Sequence, residues 1–194
     1  MARSLLPAAV ALVIAARGAA ADDLRVDVSL VGASLAISDR NGAGVATEIK
    51  VARGRHLELG GRVDIAVMFG GAVGGATLPF GLAAAALAKV DYRPGGGAVR
   101  PFVGLGAGVY SMGSHTIVTE PDGTTGVSTT SGRYLGVAPS LGLTLGRLRL
   151  AATYHAIRGT SVEYRQTSGG VAHREAFAPS YLSLELGGRF AGAP

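Results

Sequence analysis

Pro179-Ser-Tyr-Leu-Ser-Leu-Glu-Leu-Gly-Gly-Arg-Phe190 alternates along its length. Leu182, Leu184, Leu186 and Phe190 share one face of an extended chain, and Ser183, Glu185, Gly187 and Arg189 share the other. A period of two is the mark of a strand with one apolar and one polar side. An aromatic closes the run. Either a soluble sheet or the wall of a membrane barrel would use such a strand, so the surrounding sequence has to decide.

The chain has 194 residues, enough for one domain. Its mean hydropathy is +0.35 and only 16% of its residues are charged, values that suit a membrane protein. The start reads as an export signal: Arg3, an apolar stretch over 5–16, then Ala19-Ala20-Ala21 as a cleavage site. A leader over 1–21 and a single barrel domain over 22–194 are therefore expected. Beyond the leader no apolar run reaches the roughly 18–20 residues of a transmembrane helix. Every backbone amide must be paired internally in lipid, so the closed barrel remains as the way to span it. The absence of cysteine excludes a lipidated Cys and disulfides. Without Arg3 and Arg17, 16 basic residues face 13 acidic ones, a net +3. They are scattered, which gives no footprint for nucleic acid.

Eight strands are expected, over 24–37, 45–53, 57–69, 78–92, 100–112, 133–146, 148–158 and 180–190. Most are long enough to cross hydrocarbon at a tilt. The stretch 82–88, Leu-Ala-Ala-Ala-Ala-Leu-Ala, has high helix propensity. A strand is still expected there, because its flanks alternate and seven strands would leave an open edge in lipid. A phase shift near Gly32-Ala33 suggests a β-bulge. Connections at 53–56, 94–99 and 146–147 are short; those at 38–44, 70–77, 113–132 and 159–179 are longer. Short and long alternate, as they do between the periplasmic and outer ends of such barrels. The fold class is thus all-β: an eight-stranded antiparallel up-and-down transmembrane β-barrel, expected as a monomer in the bacterial outer membrane.

The polar faces are unlike a soluble exterior. In 133–146 that face is Tyr134, Gly136, Ala138, Ser140, Gly142 and Thr144; in 100–112 it is Phe102, Gly104, Gly106, Gly108 and Tyr110. A narrow lumen needs small side chains beside a few long ones. Parity places Arg25, Lys50, Arg62, Lys89, Arg149 and Arg189 inside with Asp27, Glu48, Glu58, Asp64, Asp91 and Glu185, where they are expected to pair. Aromatics gather at strand ends. Tyr92, Phe102 and Phe190 would mark the periplasmic girdle, and Phe69, Phe80, Tyr110, Tyr134 and Tyr181 the outer one. Strict parity turns Phe102 and Tyr110 inward instead.

Arg100-Pro-Phe-Val-Gly-Leu-Gly-Ala-Gly-Val-Tyr110 resembles the glycine-rich central strand of the small outer-membrane β-barrel family, that of the OmpA transmembrane domain and OmpX. The segment from Tyr181 to Phe190 resembles the C-terminal signal read by the barrel-assembly machinery. The resemblance implies that machinery as a biogenesis partner, and outer-membrane lipid and lipopolysaccharide as surroundings. It also implies strands that protrude from the cell, which OmpX links to adhesion.

No catalytic, cofactor-binding or metal-binding residues are assigned. His56, His115, His155 and His173 show no metal-ligand spacing. Outer-membrane lipid A deacylases resemble this size and fold and carry His-x-Ser, but Ala156 and Ile157 follow His155, which reads as an interior polar residue. Gly104, Gly106 and Gly108 lack dinucleotide-binding spacing. The long loops 113–132 and 159–179 are the functional candidates. Both read as hairpins, turning at Asp122-Gly123 and at Ser168-Gly169-Gly170. A surface partner could dock there. Arg40, Arg133, Arg158, Arg165 and Arg174 could meet lipopolysaccharide phosphates. The alternatives to a structural or surface-interacting barrel are a small-solute pore, a lipid A-modifying enzyme and a soluble periplasmic barrel.

Overall fold

The computed structural model describes residues 24–35, 40–69, 72–73, 76–77, 81–119, 123–159, 162–168, 171–177 and 180–191, and no helix occurs among them. The expected leader, Phe80, and the turn residues Asp122, Gly169 and Gly170 lie outside these residues. The strands are β1 (Leu24–Leu35), β2 (Arg40–Arg53), β3 (Leu57–Phe69), β4 (Ala72–Val73), β5 (Ala76–Thr77), β6 (Gly81–Tyr92), β7 (Val99–Thr119), β8 (Thr125–Leu145), β9 (Leu148–Arg158), β10 (Val162–Ser168), β11 (Val171–Phe177) and β12 (Tyr181–Ala191). Eight of them form a closed antiparallel ring, β1–β2–β3–β6–β7–β8–β9–β12, which returns to β1. Closure pairs Leu30 with Leu186 and Gly32 with Leu184. A ring of this kind leaves no strand edge in its wall.

Strands β3 and β9 match their expected bounds, and others differ for physical reasons. Residues 40–44, expected within the connection 38–44, are strand, with Asn41 opposite Phe69 and Gly44 opposite Ala66. Gly44 packs against the facing backbone, and a Cβ built on it would lie 2.1 Å from the Ile65 carbonyl oxygen. Glycine here permits a close strand approach rather than a turn. The alanine-rich stretch is strand in β6, because β3 and β7 supply hydrogen-bonding partners on both sides. Tertiary pairing overrides its helix propensity. The expected bulge at Gly32-Ala33 is absent. The register shift of β1 lies at Val26/Asp27 instead. Parity simply continues, with Val31 and Ala33 buried. They broke the sequence pattern because this part of the lumen is apolar.

The two faces of the wall differ sharply. On β12, Leu184 is 62% exposed while Glu185 beside it is 4% exposed. Leu30, Leu135, Leu141, Val103 and Val63 continue the outward apolar belt. Phe69, Tyr92 and Phe190 stand outside as expected, but Phe102, Tyr110 and Tyr181 are buried and Tyr134 packs half-buried against the luminal cluster, so these four do not belong to a girdle. Parity, which places Tyr181 with Ser183, outranks their nearness to strand ends. Tyr154, not anticipated, is exposed on β9.

Candidate functional site: a charged lumen and a projecting sheet

All twelve charged residues that parity placed inside are there; every one is buried except Arg25, which is half-buried. Arg93 joins them, although it follows the last residue of β6, so strand parity could not find it. Seven cations therefore face six carboxylates. Glu48 is the hub. It meets Arg62 at 2.9 Å, Lys89 at 2.7 Å and Arg149 at 2.8 Å, and pairs with Lys50. Lys50 also reaches Asp91 at 2.9 Å and Asp27 at 3.3 Å. Arg62 spans the bore, joining Asp64 at 2.6 Å to Glu185 at 2.8 Å. Toward the short turns Glu58 takes Arg93 at 2.8 Å and Arg25, and Arg189 donates to Asp27 at 3.3 Å. Charges removed from water need partners of this kind.

Phe102 lies among these cations. Its ring centroid is 4.4 Å from Arg149, 5.6 Å from Arg93, 5.7 Å from Lys89 and 5.9 Å from Lys50. The negative face of an aromatic ring attracts cations at this range. It thus supplies uncharged compensation where cations outnumber carboxylates. Gly142 makes the space, since a Cβ there would lie 2.6 Å from the ring. Neither that glycine nor the ring's four cationic neighbours could be assigned to Phe102 from local sequence, because they come from β8, β2, β6, β9 and the residue that follows β6.

Toward the long loops the lumen changes character. Ala66, Met68, Ala83, Ala85, Leu87, Met112, Ala138 and Ile157 form an apolar cluster with Tyr110 and Tyr181. His155 lies between the two regions. It stacks on Tyr181 with centroids 4.2 Å apart, and its ring nitrogens lie 3.0 Å from the Tyr110 hydroxyl and 3.1 Å from Ser183 Oγ. Thr153 donates to Glu185 at 2.5 Å, which links this group to Arg62. A serine–histidine contact that local sequence did not offer is therefore made across β9 and β12. Both residues are buried, Ser183 at 0% and His155 at 1% exposure, so the hydroxyl has no approach for a substrate. Among the described residues no group of three or more His, Asp or Glu is arranged to hold a metal.

Beyond the ring, β7 and β8 run on together. β6 pairs with β7 only as far as Ser111, and β9 with β8 only to Leu135, whereas β7 and β8 stay paired out to Thr119 and Thr125. Eight further residues amount to roughly 25 Å of strand. The turn follows at Gly123, whose φ of 84° is the left-handed conformation that glycine favours. β10 and β11 form the second expected hairpin. Its docking was not foreseen: β10 lies parallel to β7, with Val162 opposite His115. The projection is thus a four-stranded sheet, β11–β10–β7–β8. Among the described residues, β11 pairs only with β10, and residues 125–134 of β8 only with β7. Arg133 and Arg158 are exposed near its base. The side chains of Arg40, Arg165 and Arg174 lie outside the described residues.

No family model matches the chain, and no curated protein matches it. Among solved structures it is similar to the N-terminal β-barrel domain of Pseudomonas aeruginosa OprF, with 13% identity and a TM-score of 0.45 over 87% of this chain and 98% of that one. It is also similar to Neisserial surface protein A, NspA, with 14% identity and a TM-score of 0.47 over 87% of this chain and 95% of that one. The closed ring of eight antiparallel strands, apolar outside and ionic within, is established by the pairings and burial of this chain itself.

Proposed function

We propose that the chain is a monomeric barrel of the bacterial outer membrane whose plugged lumen serves stability and whose projecting sheet serves contact with an extracellular partner. The inversion between Leu184 and Glu185 carries the membrane reading. A wall with this much outward leucine and valine suits hydrocarbon, and an ionic interior suits a lumen shut off from it. The salt-bridged bore argues against a pore, because its own side chains fill it. The buried serine–histidine contact argues against a lipid-modifying enzyme.

The interaction reading rests on the outer half of β8. Thr125-Gly-Val-Ser-Thr-Thr-Ser-Gly132 contains neither charge nor proline, the devices that normally protect an exposed strand edge. Such an edge accepts an added strand from a partner. Membrane fractionation with heat-modifiability on gels tests the placement. The expected outcome is a detergent-extracted protein whose mobility changes on boiling; unchanged mobility overturns it. In planar bilayers no steady conductance is expected, and a nanosiemens channel would establish the pore instead. Protease added to intact cells should cut near Gly123–Gly126; protection there would reverse the orientation.

A further inference from the structure

We infer that the outer wall formed by β8, β9, β12 and β1 binds one anionic glycerophospholipid, its acyl chain in a groove of the wall and its phosphate at Arg147. The inference rests on the proposed placement in lipid. The groove holds about 630 Å³, within the range of small-ligand sites. Strand register explains it. Gly32, Leu184, Ala152 and Leu141 lie in one rung across the four strands, so small and large residues alternate there. The next rung toward the short turns is leucine at every position, Leu30 and Leu150 among them. Gly32 and Ala152 leave the floor low, and leucines stand around it, with Leu141 and Leu184 64% and 62% exposed.

The β8–β9 turn lies beyond that leucine rung, outside the groove itself. Gly188 occupies the rung below the leucines, and Arg147 is exposed in the turn, its carbonyl oxygen 3.8 Å from where a Gly188 Cβ would be. From Arg147 to Leu150 is roughly 10 Å of strand, and to Ala152 roughly 16 Å, a span suited to an acyl chain whose headgroup stays at the turn. Guanidinium geometry matches phosphate oxygens. Among the described residues no carboxylate stands outward on this wall: Glu185 borders the groove but is buried, turned into the lumen like the others.

The chain contains no tryptophan, so a single introduced one is a clean reporter. Leu141→Trp places it in the groove, and Val63→Trp places it on the apolar face of β3, elsewhere on the wall. Each variant is refolded into phosphatidylcholine vesicles with a minor share of brominated phosphatidylglycerol. The groove reporter should be quenched as if that lipid were enriched about fivefold over its bulk share, the factor expected for one arginine at a headgroup. Combined with Arg53→Gln and Arg55→Gln, which remove the exposed arginines of its own turn, the Val63→Trp reporter should show the bulk share. Adding Arg147→Gln, or filling the groove with Ala152→Phe, should bring the groove reporter down to that level. Brominated phosphatidylcholine should quench both reporters alike. Equal quenching by brominated phosphatidylglycerol, or an excess that survives Arg147→Gln, overturns the site while leaving the barrel in lipid. Absence of quenching by either lipid at both positions overturns the membrane placement and the site with it.

Discussion

Glu48 is the residue on which the lumen turns, since it meets Lys50, Arg62, Lys89 and Arg149 together. Glu48→Gln leaves four buried cations short of their shared anion. It should lower stability by about 3–5 kcal/mol, the usual cost of removing one partner of a buried ionic group, read from urea unfolding in lipid vesicles. Phe102 makes a different case. Phe102→Ala removes both the packed volume and the π-face and should cost about 3–5 kcal/mol. Phe102→Leu keeps most of the volume and should fall between alanine and the parent protein; a leucine variant as stable as the parent would show that the cation contacts contribute nothing. At this scale the sequence was partly legible. Alternation alone identified twelve of the thirteen interior charges. It could not show which acid meets which base, because Glu48 and Arg149 lie 101 positions apart. The girdle reading, not alternation, misplaced Phe102, Tyr110, Tyr134 and Tyr181, where the habit of aromatics to sit at interfaces competed with parity and lost.

At the scale of elements, β12 tests the two faces of the wall side by side. Leu184→Arg puts a cation into the outward belt and should cost about 2–4 kcal/mol if that position sits near the bilayer midplane, whereas Leu184→Gln should cost less. Equal stability of the arginine variant in vesicles would contradict lipid contact at β12. The projecting sheet should behave as a separate part. Replacing residues 116–126 by a short turn should leave urea stability and heat-modifiability within error, because the ring's own pairings end below it at Ser111 and Leu135. The outer hairpins could be read from their turn residues. The parallel contact of β10 with β7 could not, since an isolated hairpin carries no record of which edge it will join. Likewise β6 was recognisable as a strand through its alternating flanks and the demand that the ring close, not through its alanine-rich centre.

For the whole molecule, the arrangement of charge follows the arrangement of the chain. Arg53, Arg55 and Arg147 are exposed at the short turns, and the carboxylates whose side chains are described are all inside. The decisive feature, though, is the seam between β1 and β12. Asp27 meets Arg189 across 162 positions of sequence, and Arg62 meets Glu185 across 123. Contacts so distant in sequence form late and slowly. In the proposed bilayer setting those ions would have neither their mates nor water around them until the cylinder is sealed, so a half-assembled sheet would be penalised. Assembly should therefore be all-or-none, with sealing the cylinder and neutralising its centre as one event, and the finished protein should resist reopening for the same reason that it should form slowly.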